Sequence, residues 1–267
     1  MPVFKDQTER AVSLHKTPRR IISLVPSQTE LLFDLGLDKE VVGITKFCVH
    51  PYEWFSSKTK VGGTRQLKID IIHRLQPDLV IANKEENVKE QIEELEKHYP
   101  VWVSDINNLD DAFEMIEQVG LIINKEQEAM EMVLGIKENF ARLTTHSPRL
   151  TTAYFIWQNP YMAAGGNTFI HSMMTAAGFE NMYANKKRYP EISIAELLTT
   201  NCQLLLLSSE PYPFKQEHVE EIKAVLSKAE GGIMAKVLLV DGEMFSWYGS
   251  RLLQAPAYFK ELYNQLK

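Results

Sequence analysis

What this chain lacks narrows it first. Its 267 residues include only two cysteines, Cys48 and Cys202, and neither sits in a Cys-x-x-Cys pair, so a zinc ribbon or dithiol redox centre has no framework. Two reduced, buried thiols are expected, with a single long-range disulfide as the alternative. The longest apolar runs, Leu204 to Leu207 and Val237 to Val240, are strand-sized and too short to cross a bilayer. The opening Met-Pro-Val-Phe-Lys-Asp-Gln-Thr-Glu-Arg has no apolar core and no small-residue cleavage site, which predicts a chain retained in the cytoplasm. Positive charge is not in surplus: 29 Lys+Arg against 35 Asp+Glu give a net charge of -6, which excludes a global pull toward nucleic acid or anionic membrane. No Gly/Ser-rich linker separates one part of the chain from another. Also missing are the phosphate loop Gly-x-x-x-x-Gly-Lys-Ser/Thr, the dinucleotide fingerprint, the Gly-x-Ser-x-Gly elbow and the His-Glu-x-x-His helix. Acidic clusters such as Glu85-Glu86 and Glu93-Glu94 read as solvated helix surface, and no carboxylate pair is marked out for acid-base work.

What is present is alternation. Arg20 to Val25 is a β-branched run ended by Pro26, and Ser27-Gln28-Thr29-Glu30 has the form of a capping box opening a helix that stops at Gly36. Further strands are predicted at Val41 to Thr45, Leu79 to Ala82 and Val101 to Ser104. Helices are predicted at Ile69 to Leu75, Glu90 to His98 and Leu109 to Val119. Strands buried on both faces and interleaved with helices imply parallel sheets flanked by helices. From Asn124 to Thr144 the apolar residues Ala129, Val133, Ile136, Phe140 and Leu143 step by fours and threes, one face of a continuous helix. About twenty residues give a rod of roughly 30 Å, ended at Pro148. The pattern then repeats at an offset of roughly 125 to 132 residues, an internal duplication. Thr151 to Trp157, Pro160 and Thr168 to Ala177 ended by Gly178 parallel the first strand, turn and helix; Ile192 to Thr199 leads into the strand Gln203 to Leu207. A helix at Gln216 to Ser227, a strand at Val237 to Val240 and a terminal helix at Leu252 to Leu266 complete the chain. The predicted fold is therefore α/β: an N-terminal lobe over 1–122, a connecting helix over 123–146 and a C-terminal lobe over 147–267.

The loops after these strands carry the candidate chemistry, because ligands bind outside the carboxyl ends of strands in open α/β sheets. They hold Phe47, His50, Tyr52 and Trp54; Gly62-Gly63-Thr64-Arg65; Asn83-Lys84; Trp157 and Tyr161; Lys187-Arg188-Tyr189; and Trp247-Tyr248. Aromatic rings gathered on loops suit a flat or bulky ligand, with Arg or Lys neutralising its carboxylates or phosphates. Trp54 reads better as a plug on the core, Trp157 equally as core or contact, and Arg65 equally as a surface cap or a ligand clamp. Trp247 and Tyr248 are expected to contact ligand, since adjacent rings beside Gly249 and Ser250 would not both point inward. Cys48-x-His50 is too small a set to predict a metal site, and no resident cofactor is expected.

Pro18-Arg19-Arg20-Ile21-Ile22-Ser23-Leu24-Val25-Pro26-Ser27-x-Thr29-Glu30 resembles the opening of class III, helical-backbone substrate-binding proteins of ABC importers. Val61-Gly62-Gly63-Thr64, Leu75-x-Pro77-Asp78-Leu79-Val80-Ile81-Ala82, Gly165-Gly166-Asn167-Thr168-Phe169-Ile170 and Ala177-Gly178-Phe179-Glu180-Asn181 extend the likeness from about Asp6 to the C-terminus. The resemblance implies two α/β lobes joined by one long helix, a ligand held in a cleft, and no enzymatic step. It is nearest the cobalamin and iron-siderophore branch. Phe47, Tyr161 or Met162, and Tyr189 stand where that branch has cleft aromatics, whereas Thr64 and Asn83 stand where a cobalamin binder has tryptophans. The family docks on its permease through one acidic residue per lobe; Asp70 matches the first, and Ala195, with Glu196 one step along, the second. The implied partners are a bulky metal chelate or corrinoid (cobalamin, haem or ferric siderophore) and an ABC permease, with the protein a monomer at the periplasmic or cell-surface side. A cytoplasmic carrier or sensor of such a ligand is the second reading. An enzyme with His50 as its nominee is the third.

Overall fold

The structure, a computed structural model, describes residues 2–143, 149–197, 200–227 and 235–266. They form two compact units: Met1–Ile106, Asp110–Lys137 and Trp247–Leu253 in the first, Asn107–Leu109, Glu138–Ser246 and Gln254–Lys267 in the second. The chain is α/β, as its alternation predicts, with strands flanked by helices in both units.

Unit 1 opens with an antiparallel hairpin, β1 (Val3–Lys5) and β2 (Ala11–Ser13), tied by Asp6, whose Oδ1 accepts from the Thr8 and Arg10 amides at 2.9 and 3.0 Å. The main sheet takes β3 (Ile21–Ser23), α1 (Pro26–Asp34), β4 (Val41–Ile44), α2 (Tyr52–Ser57) and β5 (Thr59–Lys60) in sequence. A tight hairpin of β6 (Gly62–Gly63) and β7 (Gln66–Leu67) follows, so Thr64 and Arg65 form a turn rather than a strand-end loop. Next come α3 (Ile69–Leu75), β8 (Leu79–Asn83), α4 (Lys89–Glu96), β9 (Val101–Ser104), α5 (Leu109–Ile122) and α6 (Glu126–Ala141). The five strands are all parallel in the order β5-β4-β3-β8-β9, so the chain builds outward from β3 on one side and then on the other. The switch point lies between β3 and β8. Both strands are wholly buried, which is why they read as continuous apolar runs without alternation.

Unit 2 repeats this plan. β10 (Thr151–Trp157) is followed by β11 (Met162–Ala163), α7 (Phe169–Ala176), β12 (Glu180–Asn181), α8 (Ile194–Leu197), β13 (Leu204–Ser208), α9 (Gln216–Leu226), β14 (Lys236–Val240), α10 (Glu243–Ser246) and α11 (Ala255–Leu266). β10 pairs in parallel with β12 and with β13, and β13 with β14, while β11 is antiparallel to β10. The switch point here lies between β10 and β13. Its core gathers Phe155, Leu205, Leu207, Ile222 and Phe214.

Three expectations are corrected. The Ser27–Glu30 capping box does not form: Pro26 occupies the first helical turn, where its missing N–H costs nothing, so α1 begins at Pro26 and the four residues lie inside it. The helix expected from Asn124 starts at Glu126, because Asn124 takes a left-handed φ of 60° that ends α5 and separates it from α6. Pro148, Thr144 and the 146/147 boundary, like the end of the helix expected through Thr199, lie outside the described residues. The division between the two units falls within α6 at Lys137, and Trp247–Leu253 belongs to unit 1. The terminal helix begins at Ala255, after a 3-10 turn at Ser250–Leu253.

Candidate functional site

In unit 1 the candidate residues gather on the loops that leave β4 and β8. Cys48 turns inward, its sulfur 3.1 Å from both Thr29 Oγ1 and Thr45 Oγ1, and burial raises its thiol above the ordinary range. That thiol is a packed core group rather than a metal ligand, and Cys202 is likewise free and buried. With Cys48 fixed inward, its neighbour Phe47 is left 50% exposed, carrying Lys46 Nζ at 5.0 Å from its ring. Gly63 lets that ring lie close, since a Cβ there would come within 3.0 Å of Phe47 Cε2. Tyr52, at the start of α2, is 76% exposed. Trp54 is buried, donating from Nε1 to Asp38 Oδ1 at 2.8 Å, which makes it the core plug. Arg65 is exposed and donates to the Glu85 carbonyl at 3.1 Å, while exposed Lys84 pairs with Asp105.

Asn83 belongs to the interior. Its amide donates to Ser104 Oγ at 3.0 Å, and its Oδ1 accepts from the Glu85 and Glu86 amides at 2.8 and 3.0 Å, which folds the loop after β8. Gln28 Nε2 also donates to Ser104 Oγ, at 2.6 Å.

Trp247 and Tyr248 both point inward, each only 6% exposed, against the expectation that one must face outward. Alternation applies to extended strands; this segment lies between α10 and a 3-10 turn, where consecutive side chains can share a side. Trp247 packs between the His50 ring, 5.6 Å away and edge-on, and the Arg251 guanidinium at 4.9 Å. Arg251 makes a two-pronged pair with Glu30, Nε to Oε2 at 2.9 Å and Nη2 to Oε1 at 2.6 Å. Burial nonetheless holds the Glu30 carboxyl above its ordinary value, against the opposing pull of Arg251. Tyr248 donates to Glu86 Oε1 at 3.2 Å, and its phenol is pushed far up, first by burial and then by that carboxylate.

In unit 2 the site forms where β10 and β13 end, at the switch point. Trp157, the last residue of β10, is 40% exposed and packs edge-on against Tyr212, ring centroids 5.7 Å apart. Tyr212 in turn meets Phe214 at 4.8 Å and His218 at 5.4 Å. The polar atoms of this cluster form one chain. The Lys215 amide donates to His218 Nδ1 at 2.8 Å, so neutral His218 carries its proton on Nε2. Tyr212 OH, 3.1 Å from that nitrogen, accepts from it and donates to Gln158 Oε1 at 2.6 Å; Gln158 Nε2 donates to Tyr161 OH at 3.2 Å. Tyr161 packs against Phe155 at 5.5 Å, and burial raises its phenol. Tyr189 stands apart from this chain, half-buried under the Arg188 guanidinium at 5.7 Å.

Sequence reasoning missed Glu30, Arg251, Tyr212, Phe214 and His218. The Pro-Tyr-Pro-Phe that follows β13 was the available signal for two of them, since it echoes Asn-Pro-Tyr after β10. Asp70 lies on the first turn of α3, highly exposed, with Arg74 Nη2 at 3.1 Å. Glu196 lies on α8 with Lys186 Nζ at 3.0 Å. Among the described residues no group of three or more His, Cys, Asp or Glu side chains could hold a metal ion, and no helix is long and apolar enough to cross a membrane.

Three comparisons bear on this arrangement. A family model described as periplasmic binding protein matches residues 21–227. A vitamin B12-binding protein of Vibrio parahaemolyticus is 26% identical over 194 residues, 71% of this chain and 70% of that one. Among solved structures, the petrobactin-binding protein YclQ of Bacillus subtilis superposes with a TM-score of 0.83 at 18% identity, covering 97% of each chain. The periplasmic haem-binding protein RhuT of Roseiflexus sp. RS-1, in apo form, gives a TM-score of 0.75 at 21% identity, covering 93% of this chain and 99% of that one. At such identities the structural likeness is one of fold.

Proposed function

Because the chain belongs to the periplasmic binding protein family, we propose that it captures a bulky metal chelate (a corrinoid such as cobalamin, a haem, or a ferric siderophore) reversibly and without covalent chemistry, for delivery to an ABC permease. The observation that carries this reading is exposed aromatic surface at strand ends: Phe47 and Tyr52 after β4 and Trp157 at the end of β10 remain open to solvent although most large rings of the chain are buried. Exposed rings at such positions supply stacking area to a flat ligand at little conformational cost. Relatives named for binding vitamin B12, and fold neighbours named for binding haem and petrobactin, support the same class.

Titration with cyanocobalamin, haemin and a ferric hydroxamate, read by tryptophan fluorescence, tests this. Of the four tryptophans, Trp54, Trp102 and Trp247 are buried, so quenching by ligand should fall mainly on Trp157 and vanish in Trp157→Phe. Binding of every probe weaker than about 1 mM would remove the ligand class.

Delivery is proposed to use Asp70 and Glu196, one acid on each unit. Charge reversal at both should lower ligand-dependent stimulation of the permease ATPase while leaving chelate affinity unchanged; unaltered stimulation rejects the assignment. Fractionation of cells distinguishes export from the cytoplasmic carrier reading.

A further inference from the structure

A cavity of about 510 Å³ opens in unit 2 along one side of α7, and none of the aromatic rings just described lines it. Its polar lining is Asn107, Asn108, Asn167, His171, Ser172 and Thr175, and Leu109 and Ala176 give it a small apolar floor. No Asp, Glu, Lys or Arg lines it, and no aromatic side chain except the His171 imidazole. A flat chelate has nothing to stack on here, and an ion has no opposite charge to meet.

The imidazole is also held neutral. Asn181, buried behind it, has its carboxamide oriented from both ends: Oδ1 accepts from the Tyr183 amide at 2.9 Å and Nδ2 donates to the Ala164 carbonyl at 3.0 Å. The second hydrogen of that nitrogen points to His171 Nδ1, 3.2 Å away. Nδ1 must therefore accept, which puts the proton of the neutral ring on Nε2. A doubly protonated ring would set two donors against each other. Burial lowers the His171 pKa in the same direction. Carboxamides and hydroxyls each donate and accept, and a carboxamide presents both functions side by side, matching two neighbouring hydroxyl groups.

We propose that this pocket is a small-molecule site of its own, taking an uncharged, hydroxyl-rich ligand of mono- or disaccharide size, with His171 Nε2–H as a fixed donor and Asn181 as its positioning residue. The volume lies within the range of small-ligand pockets.

Saturation-transfer NMR with glucose, trehalose and myo-inositol as probes, and gluconate and glucosamine as charged counterparts, tests it. A neutral probe should bind, shift the His171 ring proton, and lose about tenfold in affinity in His171→Leu, the worth of one buried hydrogen bond. His171→Gln, which restores a donor, should recover most of that loss. Thr175→Trp, at an exposed position on the rim, should block binding, and chelate binding should be unchanged by all three substitutions. No neutral probe binding below about 10 mM, tighter binding of a charged counterpart, or binding that Thr175→Trp and His171→Leu both retain, overturns the proposal.

Discussion

The two units share a skeleton and differ in how they furnish it. In each the main sheet starts from a buried parallel strand, β3 or β10, and grows first on one side and then on the other. Each ends its first long helix with the same device. Gly36 at φ 80° and Gly178 at φ 85° turn the chain, the Gly36 amide donating to Phe33 O at 2.8 Å and the Gly178 amide to Thr175 O at 3.0 Å. The next amides, Leu37 and Phe179, reach back to Leu32 O and Met174 O at 3.1 and 2.9 Å. At the switch points the likeness stops. Unit 1 anchors its loops with buried charge, Glu30 with Arg251, whereas unit 2 uses a neutral chain through His218, Tyr212, Gln158 and Tyr161. Backbone devices tolerate any side chain compatible with their φ and ψ. Site loops answer to whatever they hold, so the duplicated halves can diverge there.

The sharpest way to break the comparison is to remove one anchor from each unit. Arg251→Met leaves Glu30, whose side chain is only 14% exposed, without the guanidinium it pairs with and should cost about 3 kcal/mol in urea denaturation. His218→Phe removes two neutral hydrogen bonds, one from the Lys215 amide and one to Tyr212, and should cost about 2 kcal/mol. Equal losses would show that the charged and neutral anchors do not differ as described. The shared device gives a smaller and matched effect. Gly36→Ala and Gly178→Ala should each lose about 1 kcal/mol, since both force a side chain into left-handed backbone; a Cβ at Gly36 meets nothing within 4 Å, so the penalty there is conformational alone.

The smallest effect is one of sign. Burial raises Glu30 above 4.5, so above that pH the unfolded chain has released a proton that the folded chain still holds, and stability from this group falls as pH rises through the window. Burial lowers His171 below 6.5, so the unfolded chain takes up a proton first on acidification, and stability falls as pH drops through 6.5. Denaturation midpoints of Glu30→Gln and His171→Gln, followed against pH beside the parent protein, should remove slopes of opposite direction. Slopes of the same sign would refute the assignment of whichever group departs from its expected direction.

Much of the frame was legible because it is written locally. Pro77-Asp78 announced the entry to β8, and Asp78 ties that entry to the start of β3, accepting from the Arg19 and Arg20 amides at 3.0 and 2.7 Å. Apolar runs announced the buried strands, and glycines the helix ends. Two local signals competed at α1, and the ring constraint of Pro26 outweighed the capping box. The site was less legible. Phe47, Tyr52 and Trp157 are exposed at strand ends, whereas Trp247 and Tyr248 both turn inward because a turn, unlike extended chain, does not alternate its side chains. Arg251 carries no local sign of its role, since its partner lies 221 positions earlier. His218 looked like one more residue on a helix face, and only the Lys215 amide reveals how its ring is fixed.

That separation has a consequence for biosynthesis. The ribosome passes through Glu138–Ser246 of unit 2 before Trp247–Leu253 emerges, and until then the carboxylate of Glu30 lacks the Arg251 guanidinium and α1 lacks its last neighbours. Unit 1 is begun first, yet it is complete only after most of unit 2 has been made. A fragment ending at Ser246 would therefore leave the early half incomplete, and a premature stop near the C-terminus should harm the N-terminal unit more than its distance along the gene suggests.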